Sequence, residues 1–390
     1  MESPQSDALL RVVHEGWDHL RKQRPLAAWA CWQNVIRADP EHQAALSALK
    51  TLANAPTLPA IAKSTLRFRS PAANRRDRWS QILAGGDLSD LDAASEVFAE
   101  LAENDPEDSA ASYNRALCLA WQGRNRAAIA ALDQVVRRSA IDNSEGAIDA
   151  WSVAELLRQG GGAEDLADDL SHALAIALDP SFDGDPSGHA IEDWIADLAA
   201  AGQLRPIDPR SGIPTSASPA SGTVFEWLDR PMPPPSEDLA PSQLPWVAAI
   251  LIRTPDGLRL SSPVAANLKR IESQLPWRGE RLSTPLPLTM LDAAAWTFRM
   301  PAGLDESTQR WLASSAVAQY YEEVWTAQPR HGLKGKTPAE AGKSSDPGDR
   351  IRLEAIVRFR EQVAAASPPA QALEVSYNFE RLRARLGLQA

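Results

Sequence analysis

Cysteine is scarce in this chain of 390 residues, which contains Cys31 and Cys118 and no others. Two thiols cannot form the set of disulfides that stabilises small secreted domains, and they cannot supply a cysteine-rich zinc site. Both lie in apolar stretches with helical periodicity, where a buried, reduced thiol is the expected state. The sequence therefore predicts a chain stabilised by a hydrophobic core, without a cysteine-based metal site.

Long apolar runs are also missing. The run Trp246–Ile252 falls far short of the roughly 20 residues that a membrane-spanning helix needs. The N-terminus has no basic segment followed by an apolar one, so it does not indicate a secretory signal. We therefore predict a cytoplasmic protein that does not enter a membrane.

Motifs that would indicate catalysis are absent from the sequence. The glycine run Gly160–Gly162 is not followed by the Lys-Ser/Thr of a phosphate-binding loop, and no Gly-x-Ser-x-Gly sequence occurs. The pairs His14/Asp18 and Asp168/His172 have the spacing that places two ligands on one helix face. Neither pair has a third and a fourth ligand close in the sequence. We predict no enzyme activity, no catalytic residues, no cofactor and no metal site.

A general excess of basic charge is missing too, because the net charge is −11 at pH 7. Residues 1–200 contain 31 acidic and 18 basic side chains, which is the opposite of a nucleic-acid-binding surface. Residues 63–78 are a local exception, and we interpret them as a solvated basic turn between helices. Residues 328–390 contain 11 basic and 7 acidic side chains, a small excess. Nucleic acid is therefore not an expected partner.

Paired helices are indicated most clearly by residues 110–136. The small residues Ala116 and Ala128 are twelve positions apart, Gly123 lies at the turn between them, and Leu132 continues an apolar face. Small residues at this spacing allow two antiparallel helices to approach closely. The stretch therefore predicts two short helices folded against each other.

The same spacing recurs along the N-terminal half. Gly16 and Ala28 are again twelve positions apart, and the pairs Asp39-Pro40 and Asp105-Pro106 are separated by about two periods of 33–34 residues. A further unit is predicted from Trp151 to Pro180. We interpret each Asp-Pro pair as the N-cap and first residue of the helix that follows.

These features resemble the tetratricopeptide repeat, with small residues at its eighth and twentieth positions and a large apolar one at the twenty-fourth. The resemblance implies a solenoid of paired helices over residues 8–201. It also implies an exposed groove, and such grooves usually bind a peptide or a partner helix. Trp121, Arg124 and Arg126 are the candidate contact residues here, although each could instead pack or be solvated at the repeat turn.

The second half of the chain has a different character. Residues 202–245 are rich in proline and serine, which predicts a linker, with a short extended segment at Val224–Leu228. Two apolar runs then flank Thr254–Gly257, whose Pro-Asp-Gly sequence predicts a β-hairpin. A long helical pattern runs from Asp305 to Trp325. We predict that residues 246–390 form a small α+β domain that ends in helices.

The most distinctive part of that domain is the segment 320–341. Its pattern of Trp325, Leu333, Gly335, Thr337-Pro338 and Glu340-Ala341 resembles short C-terminal segments of antitoxin toxin-binding domains, SEC-C proteins and integrase-like transposases. Thr337 is expected to cap a helix that Pro338 begins. The resemblance brings neither the cysteine cluster of SEC-C proteins nor the metal-binding carboxylates of transposases. The candidate contact residues in this segment are Trp325, Arg330, His331 and Lys334.

The sequence as a whole predicts a mainly α protein. A tetratricopeptide-like helical-repeat solenoid is followed by a proline-rich linker and a small α+β C-terminal domain. The predicted function is a non-catalytic scaffold or adaptor that binds a protein or peptide partner in the repeat groove. The alternative is a nucleic-acid-associated protein, related to toxin–antitoxin or transposase systems, that uses the C-terminal domain.

Overall fold

The chain divides into two compact units. The computed structural model describes residues 4–56, 58–64, 66–71, 76, 79–80, 90–139, 143–166, 170–177, 188–207, 223–254, 257–262, 265–274, 280–281, 286–287, 298–366 and 377–388. The repeat unit comprises Met1–Asp168, Glu322–Ala366 and Asn378–Ala390. The sheet unit comprises Asp169–Tyr321 and Ser367–Tyr377. In the described part of the chain, no helix has both the length and the hydrophobicity that crossing a membrane requires.

The repeat unit is built from helices, in agreement with the predicted mainly α fold. Neighbouring helices pack as pairs along most of it. In chain order the helices are α1 (Pro4–Arg21), α2 (Pro25–Ala38), α3 (Gln43–Ala53), α4 (Ala60–Lys63), α5 (Leu91–Asn104), α6 (Ser109–Trp121), α7 (Asn125–Ser139) and α8 (Ser144–Arg158).

Asp-Pro pairs end helices in this structure. Asp39 is the C-cap of α2 and Asp105 is the C-cap of α5, so neither aspartate has the predicted N-cap role. The side chain of Asp108 caps α6 instead, by accepting a hydrogen bond from the amide of Ala110. Proline suits the position after a helix because it cannot continue the backbone hydrogen bonding. The third predicted pair, Asp179-Pro180, lies outside the described residues.

Two later parts of the chain complete the repeat unit. After a π-helical turn (Tyr320–Val324) and two 3₁₀ turns (Trp325–Ala327 and His331–Leu333), the described residues form three more helices. They are α12 (Pro338–Gly342), α13 (Pro347–Ala366) and α14 (Phe379–Arg385). The labels α9 to α11 belong to three helices of the sheet unit, Gly188–Ala200, Ala265–Glu272 and Glu306–Gln319.

Helix α13 packs along α8, which also packs against α7. The predicted fourth repeat, from Trp151 to Pro180, needs correction here. Its first helix is present as α8, but Leu170–Ala177 is a β-strand of the sheet unit. The helix that packs on α8 is α13, which begins nearly 190 residues after α8 ends. Its apolar face includes the buried residues Ile351, Ile356 and Phe359.

The sheet unit contains an antiparallel sheet. Its strand order is β2-β3-β4-β5-β1-β6, and β7 pairs with β1. The strands are β1 (Leu170–Ala177), β2 (Leu204–Ile207), β3 (Thr223–Leu228), β4 (Val247–Thr254), β5 (Gly257–Ser262), β6 (Glu280–Arg281) and β7 (Leu286–Pro287). The predicted hairpin is confirmed, because β4 and β5 pair from Ile250↔Ser261 to Thr254↔Gly257.

Helices of the sheet unit are α9 (Gly188–Ala200), α10 (Ala265–Glu272) and α11 (Glu306–Gln319). The main core of this unit joins Ile191 and Ile195 of α9 to Trp227 of β3 and Leu251 of β4. Alternation along the strands places these side chains on one face of the sheet.

The two units differ from the domains predicted from the sequence. The predicted linker, 202–245, contributes β2 and β3 to the sheet, so its proline content does not prevent strands. The predicted C-terminal domain, 246–390, is divided, because Glu322–Ala366 belongs to the repeat unit. Composition indicated where chain character changes, but packing partners decide which residues form one unit.

Candidate protein-binding surface

Helices α6 and α8 carry a cluster of side chains that holds an extended segment of the same chain. Residues 66–70 have no helical or strand structure and lie against Tyr113 and Asn114 of α6 and Gly146 of α8. We call Tyr113, Asn114, Gly146 and Asp149 the Arg69 site.

Asn114 binds the main chain of Arg69 in both directions. Its Oδ1 accepts a hydrogen bond from the Arg69 amide at 2.7 Å, and its Nδ2 donates one to the Arg69 carbonyl at 2.9 Å. The Asn114 residue is 1% exposed with the segment in place, so its two hydrogen bonds to Arg69 lie out of contact with bulk water. A carboxamide can satisfy an extended backbone in this way because it has a donor and an acceptor side by side.

The side chain of Arg69 is bound separately from its backbone. Its guanidinium lies 3.7 Å from the centroid of the Tyr113 ring, and its Nη2 donates to the Gly146 carbonyl at 2.9 Å. Stacking of this kind stabilises a planar cation, more so where water is excluded.

Titration of the groups in the Arg69 site reflects this partial burial. Burial lowers the pKa of the Arg69 guanidinium, against the opposing effects of Tyr113 and Asp149. Burial also raises the pKa of the Tyr113 hydroxyl, again with Arg69 acting in the opposite direction. The pKa of Asp149 is raised by its own partial burial and then by Glu145 nearby. The site is therefore a partly dehydrated pocket for a cation.

Phe68 anchors the same segment in an aromatic cluster. Its ring centroid lies 5.0 Å from that of Phe98 and 5.3 Å from that of Trp121. The side chain is half-buried and packs on the core that includes Trp79 and Phe98. Segment 66–70 is thus held by one aromatic residue, one cation and one clamped peptide unit.

The three candidate residues of the repeats have local partners. Trp121 is half-buried and packs on Phe68 and on Trp29, whose ring centroid is 5.9 Å away. Arg124 is exposed, with its Nη1 3.7 Å from Asp92 Oδ1. Arg126 is exposed and forms an ion pair with Asp165. Of the three, Trp121 alone contacts the extended segment in the described part of the chain.

The candidates in the C-terminal turn lie elsewhere in the repeat unit. Trp325 is 1% exposed and Arg330 3%, and the guanidinium of Arg330 lies 5.5 Å from the Trp325 ring centroid. His331 is exposed. Lys334 has φ of 56°, and its ammonium lies 3.2 Å from Asp133 Oδ1 on α7. Among the described contacts, none joins these residues to Trp121, Arg124 or Arg126.

The predicted cap at Thr337 is confirmed. The Thr337 hydroxyl accepts from the Glu340 amide at 3.1 Å, and the Glu340 carboxylate accepts from the Thr337 amide at 2.8 Å. This reciprocal pair starts α12 at Pro338. The motif therefore has a structural role in ending the turn that carries Lys334.

The residues of the Arg69 site are not among those predicted from the sequence. The predicted solvated turn over residues 63–78 is wrong for Arg69, because its guanidinium is stacked and hydrogen-bonded. A signal was present at Asn114, since asparagine is a weak helix former that favours caps and turns over helix interiors. Its position inside the apolar pattern of α6 could have marked it as a residue with a specific partner.

One group of side chains could offer ligand atoms to a metal ion. Atoms of Glu15, His19 and Cys31 lie within 4.8 Å of one another. Burial lowers the pKa of His19 and raises that of Cys31 to about 11. Burial therefore favours the neutral form of the free Cys31 thiol. The pairs His14/Asp18 and Asp168/His172 are not part of this group, and Asp168 and the His172 side chain lie outside the described residues.

Comparison with known proteins gave one result. Residues 83–148 match the family model described as a tetratricopeptide repeat. No curated protein and no solved structure matched the chain. The matched residues include α5, α6, α7 and the first turn of α8, and with them Tyr113, Asn114 and Gly146. Residues 83–148 therefore carry repeats of the tetratricopeptide type.

Proposed function

We propose that this chain is a non-catalytic adaptor that binds an extended segment of a partner protein on the Arg69 site. Tetratricopeptide repeats generally mediate interactions between proteins, and the match at residues 83–148 makes that the coarse expectation. The finer proposal rests on one observation, the two hydrogen bonds between Asn114 and a single residue of extended backbone.

Main-chain recognition of this kind suits a protein partner. Asn114 bonds the main-chain amide and carbonyl of the residue it holds and does not depend on that residue's side chain, so it can bind any extended peptide. Specificity then comes from neighbouring pockets, here the aromatic cluster around Trp121 and the stacking surface of Tyr113. A cytoplasmic location without membrane attachment is part of the proposal.

Charges in the C-terminal turn do not favour the nucleic-acid alternative. Lys334 and Arg352 both pair with Asp133, and Lys336 pairs with Asp349. Cations held by carboxylates offer less to phosphates than free ones do, because binding would have to break those pairs.

The test is affinity purification of the full chain with quantitative mass spectrometry, in wild type and two variants. Asn114→Ala removes the clamp, while Asn34→Ala removes an exposed helical asparagine and is the matched control. We expect a partner that is retained by wild type and by Asn34→Ala but reduced at least about tenfold by Asn114→Ala. Equal recovery with both variants, when circular dichroism shows both folded, would reject the proposed site.

A further inference from the structure

We propose that residues 66–70 are an exchangeable internal ligand of the Arg69 site. A partner would then present an extended segment with an aromatic residue followed by arginine, and would bind by displacing Phe68 and Arg69. This inference rests on the proposed function and specifies both the chemistry of the partner and the regulation of the site.

The way in which the segment is held supports exchange. Residues 66–70 make no strand pairing and belong to no helix, so the described contacts of Arg69 come from the Tyr113 and Asn114 side chains and the Gly146 carbonyl. Arg67 and Ser70, on either side of the bound pair, are exposed. A segment fixed by one clamped residue and two side chains can leave without unfolding a secondary-structure element.

The preceding residues keep the segment close to its site. Helix α4 packs against α8 and α13, and the amide of Ile61 donates to Gln362 Oε1 at 3.2 Å. A tether this short holds the internal ligand at an effective concentration in the millimolar range. The internal copy therefore competes with any partner peptide, and a partner must bind better or arrive at high local concentration.

Arginine is specified by the shape and charge of the pocket. Tyr113 offers a flat ring, the Gly146 carbonyl offers an acceptor, and Asp149 adds negative charge close by. A lysine would keep the charge but lose the planar stacking and the directed hydrogen bond. The aromatic position is specified by Phe98 and Trp121, which contact the Phe68 ring.

Direct binding measurements can test the exchange. The probe is a fluorescein-labelled peptide with the sequence of residues 64–70, Ser-Thr-Leu-Arg-Phe-Arg-Ser, titrated into the full chain and followed by anisotropy. Arg69→Ala weakens the internal ligand, and Arg67→Ala is the control from the same segment. We expect Arg69→Ala to bind the probe at least about tenfold more tightly than wild type or Arg67→Ala.

Two further measurements identify the site. Adding Asn114→Ala to Arg69→Ala should abolish tight binding, and a probe with Lys in place of its last Arg should bind about tenfold more weakly. In wild type, saturating probe should accelerate hydrogen exchange of the Arg69 amide, which Asn114 protects in the internal complex. This last measurement needs no substitution, so it decides the question even if a variant fails to fold.

Failure of the exchange can be told apart from failure of the proposed function. Equal probe affinities in wild type and Arg69→Ala, or an Arg69 amide that stays protected at saturating probe, would overturn the exchange. If a partner were still lost on Asn114→Ala, the adaptor proposal would stand with residues 66–70 as a fixed part of the site. If the probe bound but the recovery of the partner did not change with Asn114→Ala, the proposed adaptor site would be rejected.

Discussion

Arg352 of α13 donates a hydrogen bond from Nη2 to Oδ1 of Asp133 on α7 at 2.8 Å, although 219 residues separate them. Both side chains are largely buried, at 3% and 14% exposed. Lys334 approaches the same carboxylate to 3.2 Å. The pair therefore joins α7 to α13, a helix that follows most of the sheet unit in the sequence.

The first prediction concerns this pair. Asp133→Ala should lower the free energy of unfolding of the repeat unit by about 2 kcal/mol or more, because it leaves the buried Arg352 guanidinium poorly paired. Asp349 lies 3.7 Å from Arg352 and limits the loss. Arg137→Ala removes an exposed partner of Asp133 and should cost less than about 0.5 kcal/mol. Urea unfolding checks both values, and similar costs would contradict the dominance of Arg352.

The second prediction is loss of stability in acid. Burial alone would raise the pKa of Asp133, but Arg352 and Lys334 outweigh it and the pKa is lowered. The pKa of Asp349 is also lowered, by Lys336 and Ser344 acting against burial. A lowered native pKa gives stability that is present above the unfolded value of about 3.9 and is lost as pH falls through the native value.

The contribution of these two groups to the urea midpoint should therefore change little between pH 7 and about pH 5. It should decrease when the pH is lowered below about 4. Asp133→Asn cannot titrate, so its midpoint should fall less steeply over the acid range than that of wild type. Parallel curves for wild type and Asp133→Asn would show that this carboxylate does not contribute.

Local patterns in the sequence were enough to predict the helix pairs of the repeat and the β4–β5 hairpin. The spacing of Ala116, Gly123 and Ala128 reports contacts within about thirty residues, and such contacts are encoded in neighbouring positions. The partner of α8 was not predictable in the same way. Many amphipathic helices could cover its apolar face. The packing of α13 there depends on contacts such as Asp133–Arg352, which join residues 219 positions apart and leave no periodic pattern in the sequence.

The Arg69 site was missed for the same physical reason. Asn114 and Arg69 are 45 residues apart, and each has an ordinary explanation when considered alone. A basic stretch is usually solvated, and a helical asparagine is usually exposed or at a cap. Their complementarity appears only when the extended segment lies across α6.

The third prediction concerns the packing of the 3₁₀ turn His331–Leu333 against α8 and α13. A Cβ at Gly332 would lie 2.5 Å from Glu155 Oε1 and 2.9 Å from Ile356 Cδ1. Because Glu155 is buried and paired with Arg158, it has little room to move. Gly332→Ala should therefore cost about 1–3 kcal/mol through overpacking. Thermal unfolding measures this, and an unchanged midpoint would mean that the turn does not approach α8 so closely.

The fourth prediction concerns the core of the sheet unit. Glu226 on β3 and Arg299 are both buried, and Arg299 Nε lies 2.9 Å from each carboxylate oxygen. Glu226→Ala leaves a buried guanidinium without this partner and should destabilise the unit by about 3–5 kcal/mol. Glu306→Ala is the matched control, because its ion pair with Arg310 is exposed and should contribute less than about 1 kcal/mol.

Replacing both members of the buried pair distinguishes the attraction between the two charges from the free-energy cost of removing them from water. The double variant Glu226→Met/Arg299→Met removes two charges from the core and should recover much of the stability lost in Glu226→Ala. Hydrogen exchange of the β3 amides reports on this unit alone, whichever unit unfolds first. If the double variant stayed as far below wild type in stability as Glu226→Ala, the attraction within the pair would exceed its desolvation cost, and the ion pair itself would stabilise the sheet.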